Sequence, residues 1–265
     1  LKMKIIAFII VYNEEEIIGK CIKNAREQGL DIIVIDNGCT DRTIKIAKSL
    51  GIPIFEHKTE KYRVHEIFRW AISKAKSIGC DWYTVKDADE IFETYDGRKV
   101  VEVVNEADGL GYNCMRFDMY EFWPTVDDDL SIKDFTKRIQ YYSYLSSRRV
   151  TMIKNDPLIH MDIFTFPEGT AKESPNRLIF RHYKFISLEQ GRKKVKDRLN
   201  RIHDIKLSDT KQERTRKVNK QVSKQYLEFT DESKFYVLEK DMYQRLNKFD
   251  GTWIKEKVFD GWRGY

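Results

Sequence analysis

Residues 82–90 read Trp82-Tyr83-Thr84-Val85-Lys86-Asp87-Ala88-Asp89-Glu90. Trp82 to Val85 is a short run of the bulky and β-branched residues that pack as a buried strand, and it runs straight into a turn carrying three carboxylates. Upstream of it, Val64, Ile67, Phe68, Ala71, Ile72 and Ala75 recur at helical spacing, and Gly79 closes that helix. Pro53 to Phe55 reads as a short strand. Before it, Ile44, Ala47 and Leu50 mark the apolar face of a helix that Gly51 stops, with Thr40 as its cap and Asp41 in its first turn. Ile32 to Ile35 is a buried strand ending at Asp36, followed by the turn Asn37-Gly38. Ile17, Ile18, Cys21, Ile22 and Ala25 form another helical stripe, ended by Gly29, with Asn13 as its expected cap and Glu16 as capping-box partner. Lys4 to Val11 opens the series as a strand buried on both faces.

Strand and helix thus alternate from Lys4 to Val85, which predicts a mostly parallel sheet with right-handed crossovers. In such sheets ligands bind at the carboxyl ends of the strands. Three polar clusters stand at those ends: Tyr12 to Glu14, Asp36 to Gly38, and Asp87 to Glu90.

Past a helix at Val100 to Val104 the pattern changes. Cys114 to Phe122 reads as a strand broken by Trp123-Pro124-Thr125, and Asp127-Asp128-Asp129 as a loop. Ile139 to Leu145 and Val150 to Ile153 read as two strands, Pro157 to Pro175 as loop, and Leu178 to Tyr183 as a last strand. From Ser187 to about Asn247 the pattern is helical and charged. The tail repeats itself briefly in Phe249 to Trp253 and Phe259 to Trp262, and two copies do not make a repeat architecture.

With 265 residues, 41% of them apolar, the chain can bury one large α/β core or one core with an appendage. Ile5 to Val11 is too short to cross a bilayer and lacks a small-residue cleavage site, so neither a membrane span nor a secretory signal is expected. Cys21, Cys39, Cys80 and Cys114 form no CxxC pair, which speaks against zinc ribbons and redox motifs and fits reduced thiols in a cytoplasmic protein. The stretch Arg181 to Lys224 holds 15 Lys/Arg against 5 Asp/Glu, an excess of ten on a chain whose total is +6. The remainder is therefore net acidic. The basic stretch reads first as a solvated helical face, next as a peripheral contact with an anionic membrane surface, and last as a nucleic-acid surface.

Asp87 and Asp89 flank one small residue, and two hard carboxylates so spaced suit Mg2+ or Mn2+ bound together with phosphate oxygens. A bare DxD is more often a solvated turn; its place after a buried strand, among other polar strand ends, favours the functional reading. Asp36 can accept hydrogen bonds from a base or ribose, or simply shape the turn before Asn37-Gly38. No GxGxxG or GxxxxGK[ST] occurs, which excludes the dinucleotide-binding and P-loop classes.

The string Ile9 to Thr43, with Tyr12-Asn13-Glu14-Glu15 and Asp36-Asn37-Gly38-Cys39-Thr40-Asp41-Arg42-Thr43, resembles the opening of family 2 glycosyltransferases of GT-A fold. Trp82 to Phe92 is similar to that family's DxD segment, and Arg181 to Gln190 with Lys194 resembles a downstream segment of one bacterial branch. The resemblance, which covers roughly residues 4 to 198, implies an α/β, GT-A-like, mostly parallel sheet flanked by helices; the charged helical pattern past Ser187 adds a helical C-terminal extension. Residues 1–186 would be the catalytic domain, with residues 1–105 the nucleotide-binding half and residues 106–186 the acceptor half. Residues 187–265 would be a basic helical extension. Asp36 would meet the nucleobase, and Tyr12, Asn13 and Glu14 would line its pocket. Lys86 and Asp87 would face the nucleotide, and Asp87 and Asp89 would hold the cation and diphosphate. His182 would stand as a third metal ligand, with His160 a weaker candidate.

The resemblance further implies transfer, with inversion, from a UDP-linked sugar to a glycan or lipid-linked acceptor. That reaction needs a general base. Asp118, Glu121, Asp128 and Glu90 are the candidates, since the acidic pair common in the family is not evident in this sequence. Two other classes compete: a different metal-dependent enzyme acting on nucleotides (nucleotidyltransferase or phosphodiesterase), and a non-catalytic protein whose basic tail binds a polyanion.

Overall fold

The structure is a computed structural model, and it describes residues 3–59, 64–160, 167–203 and 247–253. Strands β1 (Ile5–Val11), β2 (Asp31–Asp36), β3 (Ile54–Glu56) and β4 (Trp82–Asp87) alternate with helices α1 (Ile18–Glu27), α2 (Thr43–Ser49) and α3 (Val64–Ser77). β5 (Glu90–Thr94), α4 (Val100–Gly109), β6 (Cys114–Trp123), α5 (Phe135–Arg138) and β7 (Tyr141–Lys154) follow. They precede β8 (Ile159–His160), β9 (Glu168–Gly169), β10 (Leu178–His182), α6 (Leu188–His203) and β11 (Asn247–Lys248). The large sheet has the order β3-β2-β1-β4-β7-β6-β10-β5, with β11 added on β7; β8 and β9 form a ladder of their own. It is parallel across β3, β2, β1 and β4. It turns antiparallel where β7 meets β4 and where β10 meets β5.

The chain divides into two compact units. The first takes residues 1–59, 63–120 and 144–182, and its core follows from alternation along the strands. Ile6, Phe8 and Ile10 of β1, Ile33 and Ile35 of β2, and Tyr83 and Val85 of β4 share one apolar cluster with Ile67, Phe68, Ala71, Ile72 and Ala75 of α3. The alternate residues of β4, Trp82, Thr84 and Lys86, are equally buried. They face the other way: the Trp82 indole donates to Asp108 of α4 at 2.8 Å, and the Lys86 ammonium to Cys21 of α1 at 3.1 Å. Helices therefore cover both faces, as the uninterrupted burial of β1 requires. The second unit takes residues 60–62, 121–143 and 183–265, and its described part packs aromatic rings. Phe122, Tyr142, Phe249 and Trp253 pack together in tilted and edge-on contacts, and the Tyr142 hydroxyl donates to the Thr252 carbonyl at 3.0 Å.

Gly29 ends α1 at φ +80°, where a Cβ would stand 2.5 Å from the Val101 side chain of α4. Gly29→Ala combines a left-handed backbone penalty with an overpacked contact and should cost about 3 kcal/mol in a denaturant melt. A loss under about 0.5 kcal/mol would mean that the α1–α4 contact yields freely.

Several local expectations are corrected. Asn13 does not cap α1, which starts at Ile18 with no side-chain cap. Thr40 does not cap α2; the Asp41 carboxylate accepts from the Thr43 amide and hydroxyl instead. Tyr141 to Lys154 is one long strand rather than two. β5, starting inside the acidic motif, had no separate signal in the sequence. The helical pattern after Ser187 is seen as α6; its continuation over 204–246 and the second tail copy from Phe259 lie outside the described residues. Among the described residues no helix is long and apolar enough to cross a membrane.

Candidate active site

The carboxyl ends of β2, β1 and β4 are laced together by short polar side chains. Asn13, directly after β1, has φ +54° and is the sole non-glycine at positive φ among the described residues. Asparagine tolerates this conformation because its short amide bonds locally. Its amide oxygen accepts from the backbone N–H of Thr40 at 2.8 Å and of Asp41 at 3.3 Å, and its amide nitrogen donates to the Thr40 hydroxyl at 3.2 Å. The Glu14 amide donates to Thr43 at 2.8 Å, and Glu15 pairs with Arg42 at 2.9 Å. The loops after β1 and β2 thus form one clasp. Tyr12, half-buried, and Glu14, buried, flank it.

Asp36 ends β2 and is 6% exposed. Its Oδ1 accepts from the amides of Gly38 at 2.9 Å and Cys39 at 2.7 Å, which shapes the turn. Among the described residues none bonds its Oδ2, so one carboxylate oxygen is left for another donor. The neighbouring Asn37 side-chain oxygen Oδ1 accepts from the Thr59 amide at 3.1 Å and hydroxyl at 2.8 Å, fixing the exit from β3. His57 stacks on Trp70 with ring centroids 4.5 Å apart.

The acidic motif is a tight turn between β4 and β5. Glu90 is 1% exposed, and its carboxylate accepts the Asp87 amide at 3.0 Å, closing the turn from within. β10 pairs antiparallel with β5, in a register that sets His182 opposite Glu90. That ladder brings His182 Nε2 to 3.7 Å from Asp89 Oδ1. Two ligands that share a small divalent ion at about 2.0–2.1 Å stand about 3–4 Å apart, so this spacing suits such an ion. Among the described residues no three His, Cys, Asp or Glu side chains converge into a closed metal cage. One carboxylate and one imidazole at this spacing would leave most positions of a hard cation to phosphate oxygens.

The other named residues sit as follows. Lys86 is fully buried beneath the motif, pointing away from the clasp because alternation along β4 turns it toward α1. His160 is exposed in the β8–β9 ladder. Asp118, on β6, is 0% exposed and saturated: Oδ2 accepts from Tyr95 at 2.5 Å, and Oδ1 from Tyr144 at 3.2 Å and Arg177 at 3.0 Å. Burial and the bond to Asp118 push the Tyr95 hydroxyl far above the usual tyrosine range. Glu121 is buried near the end of the same strand. Asp128 stands in the loop after β6, where Oδ1 accepts from the Thr125 hydroxyl at 2.9 Å. Its Oδ2 is buried with no hydrogen-bond partner among the described residues. Burial holds its carboxyl above the ordinary value, against the Thr125 bonds and the charge of Arg138. The sequence carries no local signal for the Asn13 clasp or for the Tyr95–Asp118–Arg177 network, since the partners lie 27, 23 and 59 residues apart.

Comparison with known proteins returned the family model described as Glycosyl transferase family 2, matching residues 6–158. The SPbeta prophage-derived glycosyltransferase SunS of Bacillus subtilis (strain 168) is 31% identical over 108 residues, 40% of this chain and 25% of that protein. An uncharacterized glycosyltransferase of Rickettsia bellii (strain RML369-C) is 36% identical over 90 residues, 34% of this chain and 29% of that one. The chain thus spans about a quarter of the length of the curated relatives it matches. Among solved structures, S. aureus TarS 1-349 in complex with UDP aligns at TM-score 0.38 and 15% identity, covering 45% of this chain and 36% of that chain. Glucosyl-3-phosphoglycerate synthase from Mycobacterium tuberculosis in complex with Mn2+ and UDP-glucose aligns at TM-score 0.33 and 19% identity, over 44% of each chain.

Proposed function

Because the chain belongs to glycosyl transferase family 2, we propose that it moves a sugar, with inversion, from a UDP-linked donor to a glycan or lipid-linked acceptor, using Mn2+ or Mg2+. The observation that carries this reading is the meeting of three features at the carboxyl ends of neighbouring parallel strands. These are Asp36 on β2, the Asn13 clasp after β1, and the acidic turn after β4 with His182 against Asp89.

Asp36 presents its remaining carboxylate oxygen to the base. A carboxylate accepts from the N3–H of uracil, whereas cytosine offers an acceptor at that position, so the chemistry favours uridine over cytidine. Tyr12 and Glu14 border the same end of the sheet. Asp87, Asp89 and His182 would hold the cation; when bound, it neutralises charge on the departing diphosphate. The acceptor hydroxyl attacks the anomeric carbon from the face opposite the diphosphate, and a carboxylate takes its proton as the bond to the donor oxygen breaks. Among the four carboxylates considered, Asp128 suits that role best. Its Oδ2 has no partner among the described residues and its proton affinity is raised, whereas Asp118 is saturated and Glu90 is tied to the Asp87 amide.

The test is calorimetric titration with a panel of nucleoside diphosphates, with and without Mn2+. UDP should bind, Mn2+ should tighten it, and Asp89→Ala should remove at least about tenfold of that tightening. Binding of no nucleotide under either condition would reject the donor site and turn attention to a polyanion on the basic stretch.

A further inference from the structure

The segment 247–253 lies well beyond residue 158, where the family match ends, and the reaction proposed above gives it no part. It nevertheless joins the large sheet. β11 pairs antiparallel with the start of β7, Asn247 with Tyr142 and Lys248 with Tyr141, and the Phe249 amide donates to the Gln140 carbonyl at 2.8 Å. Exposure alternates along it: Asn247 and Phe249 are half-buried, Lys248 and Asp250 exposed, as in a strand with one face turned inward. After Phe249 the chain turns. The Asp250 carboxylate accepts from the Thr252 amide at 3.0 Å, and Gly251 stands at φ +103°, a conformation that side chains disfavour. The turn lays Trp253 against Phe249, with ring centroids 4.7 Å apart, and against Tyr142 and Phe122 at 5.6 and 6.2 Å.

These contacts grip both stems of one loop. Phe122 is next to the last residue of β6, Gln140 to Tyr142 lead into β7, and residues 124–139 run between them and carry Asp128. The grip continues through the bonds of the loop itself. The Gln140 side chain donates to the Lys137 carbonyl at 2.5 Å, at the end of α5, and the Arg138 guanidinium donates to the Ile132 carbonyl at 3.1 Å. A loop with tied ends loses less entropy in making such bonds than one whose ends can part. We propose that the segment 247–253 is a clamp with Phe249 and Trp253 as positioning residues, which close the stems of the 124–139 loop and so hold Asp128 in place for proton transfer. Asp128 as the base rests on the reading above. Phe249 and Trp253 act through Phe122, Tyr142 and Gln140 rather than on substrate.

The experiment uses the full chain with Trp253→Ala, Trp253→Phe and Gly251→Ala, each melted first. Hydrogen exchange is read at two sets of amides. Those of Lys137, Arg138 and Ile139 donate to the Asp134 and Phe135 carbonyls within the loop; those of Gly38 and Cys39 donate to Asp36 in the first unit. Trp253→Ala should speed exchange in the loop set at least about tenfold and leave the other set within about twofold. Turnover is read as UDP release from a panel of UDP-sugars with Mn2+; kcat should fall at least about tenfold while the donor KM stays within about twofold. Trp253→Phe keeps an aromatic anchor and should restore both quantities. A segment that only adds stability would speed exchange in both sets alike and spare kcat in the folded protein. If Trp253→Ala fails to melt cooperatively, Gly251→Ala is read in its place. A Cβ there meets nothing within 4 Å, so the change strains the turn and removes no contact, and it should move the same quantities in the same direction. Unchanged exchange at Lys137 to Ile139, equal acceleration in both sets, or an unchanged kcat overturns the proposal. A wild type that neither binds UDP nor releases it overturns the donor-site reading instead, and the exchange comparison, which needs no ligand, still decides the clamp.

Discussion

Asp128→Asn should slow sugar transfer by about 10²–10⁴-fold, the usual contribution of a positioned general base, while sparing Mn2+-dependent UDP binding and raising the melting temperature at neutral pH. The joint outcome follows from one feature. The carboxyl has a buried Oδ2 with no partner among the described residues, and burial raises its proton affinity above that of an exposed aspartate. A raised folded-state value means that folding favours the protonated form. Below about pH 4, near the unfolded value, the group is protonated in both states and carries no penalty. As pH rises through the folded value the native protein must ionise a poorly solvated carboxyl, so stability falls and the penalty is complete at neutral pH. Asparagine never ionises. The variant and the wild type should therefore melt together near pH 4 and separate at pH 7, with the variant higher. Raised basicity also places the acid limb of the rate profile above that of an ordinary aspartate. Glu121→Gln is the comparison. If it loses transfer while Asp128→Asn keeps it, the base is Glu121; if neither does, the proton leaves by another route.

Arg177→Met should destabilise the first unit by about 3 kcal/mol, the lower end of what breaking a buried pair costs, because Arg177 is itself a third exposed. Asp118 is 0% exposed, and the variant takes the guanidinium away from a buried charge that also accepts from the hydroxyls of Tyr95 and Tyr144. The second arm is Arg177→Met/Asp118→Asn. Removing the stranded charge should recover about 1–3 kcal/mol relative to Arg177→Met, a coupling that a urea double-mutant cycle resolves. Additive effects would mean that the pair is replaceable packing. The same cycle bears on chemistry: a saturated structural carboxylate predicts that Asp118→Asn lowers stability before it lowers the rate per folded molecule.

The site was legible where the chain carries its own punctuation. Asp36 and the Asp87–Glu90 turn were found because a strand buried on both faces must be followed by polar residues at its carboxyl end, and that pattern is local. His182 was reached only through resemblance, since the register that sets it opposite Glu90 belongs to the β5–β10 ladder, whose strands are remote in sequence; the Arg181–Glu93 side-chain ion pair across it joins residues 88 apart. Asn13 looked like a helix cap because Asn followed by Glu is a good cap at short range. The loop after β2 offers its amide oxygen two backbone donors instead, and the helix starts later without one. Lys86 looked like a ligand contact because it adjoins Asp87, but adjacency in a strand means opposite faces.

The amino-acid sequence by itself determined the alternation of buried strands with amphipathic helices, hence a parallel half-sheet with its polar ends together, and the residues that could meet a nucleotide and a cation. Those are consequences of periodicity and of where backbone turns are cheap, both readable within about a dozen residues. Tertiary structure alone decided which carboxylates are free to act. Asp118 and Asp128 are the same residue type ten positions apart. One is saturated by a guanidinium and tyrosyl hydroxyls from distant segments; the other is half-buried, with a buried oxygen that has no partner among the described residues. A carboxylate's proton affinity and availability depend on the solvation and donors around it, and those are supplied by chain segments remote in sequence.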